Sequence, residues 1–160
     1  MKDKFILDAC CGGRMFWFNK KNPAALFIDK RKLPKGSIKD RPNFCIDPDI
    51  IMDFRKLEFP DKSFKLIVFD PPHLRSIGKN SWMAKKYGVL EDLNDLKLGF
   101  NECWRVLEDY GVLIFKWSTE TEKRSTSVKD IIKLFEKEPL FGHTSGSKSH
   151  THWLCFMKIP

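Results

Sequence analysis

A chain of 160 residues, 42% hydrophobic and 31% charged, has room for one sizeable core and little left for a second, so residues 1–160 read as a single domain. A net charge of +8 and a pI near 9.3 tilt the chain towards an anionic partner, and nucleic acid is the commonest. Five cysteines, an odd number without paired C-x-x-C metal spacing, read as reduced thiols of a cytoplasmic protein; no signal-peptide core and no membrane-length apolar run is present, so no membrane partner is expected.

Phe5, Ile6 and Leu7 form a first short strand that ends at Asp8. Ala9-Cys10-Cys11-Gly12-Gly13-Arg14 follows, and small residues directly after a buried strand let backbone approach a ligand. Met15, Phe16, Trp17 and Phe18 are expected to begin a short apolar helix that stops before Asn22-Pro23. Ala24 to Ile28 read as the second strand, ending at Asp29. An acid about 20 residues past a glycine-containing turn, at a strand tip, is placed to bond ribose hydroxyls. The G-x-G-x-x-G pattern is missing, which disfavours a dinucleotide.

Lys30 to Arg41 read as a basic surface loop, Asp49 to Met52 as strand three, followed by Asp53-Phe54-Arg55. Phe64 to Phe69 form the fourth strand, which stops at Asp70-Pro71-Pro72-His73. A prolyl nitrogen has no hydrogen for a ladder, and each proline keeps the preceding residue extended. The Asp70 carboxylate and the Pro71 carbonyl are thereby left outside the sheet, with the His73 ring next to them. Two acceptors and a flat ring suit a planar amino group. Arg75, Lys79, Lys85 and Lys86, interleaved with Trp82 and Tyr87, are candidates for contacts with phosphates and bases.

Leu93, Leu96, Phe100, Cys103, Trp104 and Leu107 recur every three or four positions and predict an amphipathic helix, with Gly111 as its C-terminal cap. Val112 to Phe115 read as strand five, ending in Lys116-Trp117. Ser127 with Asp130 opens another helix, with Val128, Ile131, Ile132 and Phe135 on its buried face. Leu140-Phe141 and Trp153 to Ile159 read as a closing strand pair joined by a polar loop, His143 to Thr151, expected to wall the site. Alternating strands and helices predict an α/β, doubly wound, Rossmann-like sheet with right-handed crossovers. Asp8, Asp29, Asp53, Asp70 and Lys116 would all sit at carboxyl ends of strands, where such sheets bind ligands.

With these residues in place, the chain resembles the class I S-adenosylmethionine-dependent methyltransferases, and within them the amino-methyltransferases of DNA and RNA. Asp8-Ala9-Cys10-Cys11-Gly12-Gly13 resembles their cofactor loop, with Arg14 where the family has a last glycine. Asp29 matches the ribose-holding acid, Asp53 and Phe54 the positions flanking the adenine, and Asp70-Pro71-Pro72-His73 the D-P-P-aromatic catalytic motif, in which Asp70 also borders the cofactor. The wording Cys-Cys-Gly-Gly-Arg-Met-Phe-Trp-Phe resembles small methyltransferase-like proteins of phages and prophages.

The resemblance implies a seven-stranded, mostly parallel sheet whose last strand, at 153–159, is antiparallel. It also implies S-adenosylmethionine as cofactor, no metal, and methyl transfer to an exocyclic amino nitrogen, adenine N6 favoured. No separate target-recognition domain is visible, so the substrate would be single-stranded or carry a flipped base, or the chain would act as a homo-oligomer. Two other readings stand beside this one: a methyltransferase of a protein amide or small molecule, and a catalytically idle module that binds the cofactor or a nucleic acid.

Overall fold

The computed structural model describes residues 3–74, 78, 80–119, 126–146 and 150–160. In chain order the elements are β1 (Ile6–Asp8), β2 (Ala25–Asp29), β3 (Ile50–Ile51), β4 (Phe64–Phe69), α1 (Trp82–Tyr87), α2 (Asn94–Val106), β5 (Leu107–Thr119), α3 (Val128–Phe135), β6 (Phe141–Ser145) and β7 (His150–Met157). The seven strands form one sheet in the order β3-β2-β1-β4-β5-β7-β6. β1 to β5 run parallel, and β7 is antiparallel to both of its neighbours. Strand order reverses between β1 and β4, and a crevice opens beyond the carboxyl ends at such a switch point.

Register assigns the two faces of the sheet. Leu7, Ile67, Leu113 and Phe156 pair across β1, β4, β5 and β7, and Phe69, Phe115 and Leu154 form the next row. All seven belong to one core with Leu96, Phe100, Cys103 and Val106 of α2 and Ile131 and Phe135 of α3. The Phe100 and Phe135 rings stack at 4.0 Å, and Phe135 meets Phe115 edge-on at 4.9 Å. The 3.6-residue period of α2 is what brings its apolar side to this face.

The opposite face carries a much thinner layer. There Ala25, Phe27 and Cys11 pack with Ile6 and Trp17. Among the described residues no helix joins β1 to β2, β2 to β3 or β3 to β4. The expected helix at Met15 to Phe18 is absent; those residues lie in turns. Positive φ at Gly12 and Arg14 breaks the helical path before it starts, and the Trp17 indole is tied back to Asp8.

Three further expectations are corrected. Gly111 does not cap α2; the helix ends at Val106, and Leu107, already extended, opens β5 without a loop. Gly111 lies inside β5 beside an irregularity at Tyr110, whose φ is 61°. Lys116 is within β5, not at its end, because the strand runs on to Thr119. The described residues of the polar stretch 143–151, Gly146 apart, are strand: His143, Thr144 and Ser145 pair with Trp153, His152 and Thr151, and β7 spans His150–Met157, not 153–159. β7 begins on the carboxyl-end side of β5, since His150 pairs with Thr119, the last residue of β5, but none of the described residues of 143–151 lines the cavity at Asp70, and Ser147 to Ser149 lie outside the described residues.

Candidate active site

Three strand ends meet at one cavity, lined among others by Cys10 to Gly13, Asp29, Phe54, Asp70 and Pro72. β1 delivers its loop by bending the backbone back over the sheet. Ala9 N–H donates to Val68 O, and Cys11 N–H to Ile28 O. β2 delivers Asp29, which is buried and accepts from the Gly12 N–H at 3.0 Å. β4 delivers Asp70 and the proline pair.

Asp70 lies against Lys116, with Nζ 2.7 Å from Oδ2. Burial pushes the Asp70 carboxyl above its ordinary range, and the Lys116 ammonium opposes that push. The ammonium is itself flanked by rings, 5.6 Å from Trp153 and 5.9 Å from Phe16, which meet edge-on. Burial, with Lys116 adding to it, drives the His73 imidazole down to about 4, so at neutral pH the ring is uncharged. It stands between Tyr87 and Trp117 at 6.2 and 6.4 Å.

α1 closes this side of the cavity. Ser81 caps it by accepting from the Ala84 N–H, and Gly88 ends it with φ 80°. A Cβ on Gly88 would come within 2.9 Å of Pro72 Cγ and 3.2 Å of Arg31 Nη1, so glycine is needed for the end of α1 to sit on the Pro-Pro turn. Lys86 and Tyr87 thereby reach the cavity wall. Lys86 Nζ lies 2.8 Å from the Tyr87 hydroxyl.

The remaining sequence-derived residues divide. Ala9 is buried in the core, and Pro71 is buried behind Pro72. Asp8 lies beneath the loop with no exposed surface, accepting from Trp17 Nε1 at 2.7 Å and weakly from the Cys10 N–H. Burial raises its carboxyl to about 7, with Trp17 pulling down and Asp70 pushing up. Asp53 does not reach the cavity; Arg55 holds it through Nε and Nη2, while Phe54 packs edge-on to Phe69 and does line the wall. Lys85 is not part of the cavity lining, and its carbonyl accepts from Arg31 Nη1, while Trp82 is exposed under Arg41. Arg75 and Lys79 lie outside the described residues.

Sequence reasoning missed several partners. Arg31 clasps Asp29 with its backbone N–H, Nε and Nη2 at 2.9, 3.0 and 3.1 Å. With Gly12, these donors fill the acceptor positions of the carboxylate. The signal was present: Asp29-Lys30-Arg31 and Asp53-Phe54-Arg55 are the same D-x-R clasp at two successive strand ends. Arg14 donates to Lys20 O, Asp47 O and Asp49 Oδ1 and lies 3.8 Å over the Phe27 ring. It therefore fastens the β1–β2 turns to the approach of β3. Met15 and Phe16 line the cavity although they were expected to be helical.

No protein-family model matches this sequence, and no protein of curated function matches it either. Solved structures do. The PH0226 protein from Pyrococcus horikoshii OT3 superposes with a TM-score of 0.63 at 16% identity, covering 100% of this chain and 84% of that one. An S-adenosylmethionine-dependent methyltransferase from Methanosarcina mazei gives 0.60 at 12% identity, over 99% and 94%. The N-methyltransferase NodS from Bradyrhizobium japonicum WM9, in complex with S-adenosyl-L-homocysteine, gives 0.59 at 14% identity, over 96% and 76%. At such identities the likeness establishes the fold: the seven-stranded, Rossmann-like α/β sheet of these methyltransferases. No helix of the described residues is long and apolar enough to cross a membrane.

Proposed function

We propose that the chain is an S-adenosylmethionine-dependent methyltransferase acting on an exocyclic amino nitrogen of a nucleic-acid base, adenine N6 favoured. One observation carries the reading. Asp70 and Pro72 line the same cavity as Gly12, Gly13 and Asp29, so an acceptor for an amino group and a cradle for a nucleoside share one space, with His73 following directly after Pro72.

The residues present fit the cofactor. Bare backbone at Gly12 and Gly13, an apolar wall at Phe54 and a strand-end carboxylate at Asp29 surround the space. Ribose hydroxyls would take the positions that Arg31 Nε and Nη2 occupy on Asp29. The cofactor supplies an electrophilic methyl group. Everything else is asked of the chain. Asp70 accepts one amino hydrogen through the oxygen Lys116 leaves open, and the Pro71 carbonyl takes the other. Held so, the nitrogen lone pair is drawn out of conjugation with the base and aimed for in-line attack. The neutral His73 ring offers a stacking surface that brings no second charge beside Lys116. The net charge of +8 supports a polyanionic substrate over a protein amide or a neutral small molecule.

Transfer of labelled methyl groups into single-stranded DNA and RNA, followed by mass spectrometry of the nucleosides, tests the proposal. Asp70→Ala should lower transfer by on the order of 100-fold or more while cofactor affinity stays near the parent value. Full activity in that variant, or label found in protein alone, sinks it.

A further inference from the structure

Met15 and Lys86, which line the cavity at Asp70, also line a neighbouring cleft with Arg41 and Phe44. Met15 and Phe44 in turn line a further cleft with Lys20 and Lys21, so Phe44 borders both. A Cβ on Gly13 would lie 2.5 Å from Phe44 Cε2, so this glycine is what allows the ring to rest on the loop after β1. The ring is half-buried, not a core side chain.

The charges along the cleft are unbalanced. Asp49 and Asp47 are held by Arg14 and Lys32. Among the described residues Lys20, Lys21, Arg41 and Lys86 make no ion pair, and Arg41 instead lies 5.1 Å over the Trp82 ring. Of the described acidic residues lining the two clefts, Asp47 and Asp49 are those held pairs, which leaves Asp40 to stand against the cations.

We propose that this cleft is the track for nucleotides flanking the target base, with Phe44 as the ring on which one of them stacks; this rests on the nucleic-acid reading of the site. A base seated against Asp70 brings its phosphodiester chain with it, and that chain has to leave the cavity along some wall. A wall with unpaired cations spaced around a fixed, half-exposed ring suits it: the cations meet phosphates, and the ring meets a base face of any sequence. The strand is single or locally opened, because a base inside the cavity is out of its stack.

Fluorescence anisotropy over a salt series, with a labelled mixed-sequence single strand of about a dozen nucleotides as DNA and as RNA, tests the track. Phe44→Leu should weaken binding about tenfold at fixed salt and Phe44→Trp should restore it, since the effect is stacking. The double variant Lys20→Gln/Lys21→Gln sits on exposed positions and should fold as the parent does. It should reduce the slope of log affinity against log salt by about 1.4, two phosphates' worth for a single strand. If the parent chain binds neither strand, the nucleic-acid reading falls and this inference with it. If the parent binds but both the Phe44→Leu chain and the double variant match it in affinity and slope, the track is wrong and the reading of the site stands.

Discussion

On the face under α2 and α3, Ile67, Phe69, Leu113, Phe115 and Phe156 are fully buried against Phe100 and Phe135. On the other face the sheet carries Asp8, Val68, Ile114, Lys116 and Trp153, and all but Val68 are half-buried or polar enough to need a partner. The alternation is cleanest in β5, where Leu113, Phe115 and Trp117 are buried while Val112, Ile114 and Lys116 are half-buried. Fully covered parallel strands read as continuous apolar runs. Here one side holds the fold by area and ring stacking, and the other holds its groups by hydrogen bonds and ion pairs. Asp8, Asp70 and Lys116 sit on that second side, so its electrostatics are those of the site.

The largest expected effect is on the first side. Phe100→Ala removes a ring stacked on Phe135 and in contact with Phe156, and should cost about 3–5 kcal/mol of unfolding free energy. Ile114→Ala, on the half-buried side, should cost on the order of 1 kcal/mol. Chemical denaturation of the two variants breaks the comparison if their losses are equal.

Asp8 gives the next largest effect. Its carboxyl is raised to about 7 from an ordinary 3.8. Below the ordinary value the carboxyl is protonated folded or unfolded, and pH has no grip on this group. Between about 4 and 7 the unfolded chain releases its proton while the folded one keeps it, so stability falls as pH rises. Above 7 the penalty is constant, on the order of 4 kcal/mol. Asp8→Asn keeps an acceptor for Trp17 and cannot ionise. The difference in unfolding free energy between variant and parent should therefore climb in the variant's favour from pH 4 to 7 and then level. A flat difference would mean that Asp8 is ionised in the fold.

These two sides were not equally legible in the sequence. Area-driven elements announce themselves: the period of α2, the apolar run of β4 stopped by Pro71, and the Ser127 cap that accepts from the Asp130 N–H all fold as read. Pairings between distant residues do not. Nothing local ties Lys116 to Asp70 or Trp17 to Asp8. Met15 to Phe18 look helical because four apolar residues in a row carry no period, and what decides their path is a bond to a residue nine positions away. β6 was read at its start, Phe141, but its extent to Ser145 was missed for the opposite reason. All five of its residues are exposed at the sheet edge, so no buried face imprints alternation on the sequence. The site fared better than its supports, since strand-end residues follow from topology alone and their clasps depend on the fold.

The smallest effect is the most specific to the site. If Asp70 works as a carboxylate, the acidic limb of the rate–pH profile reports its ionisation, because an exocyclic amino group of a base stays unprotonated over that range. Burial raises the Asp70 pKa and Lys116 lowers it. Removing the ammonium leaves burial unopposed, so Lys116→Met should move the acidic limb to higher pH, by about one unit if the pair contributes ~1.4 kcal/mol. Lys116→Arg restores a cation and should bring the limb back most of the way. The rate on the high-pH plateau should fall less than the rate at pH 6, since the carboxylate is present there in every variant. A uniform loss at all pH values, with the limb unmoved, would make Lys116 a substrate-binding group and would leave Asp70 to hold its charge without it.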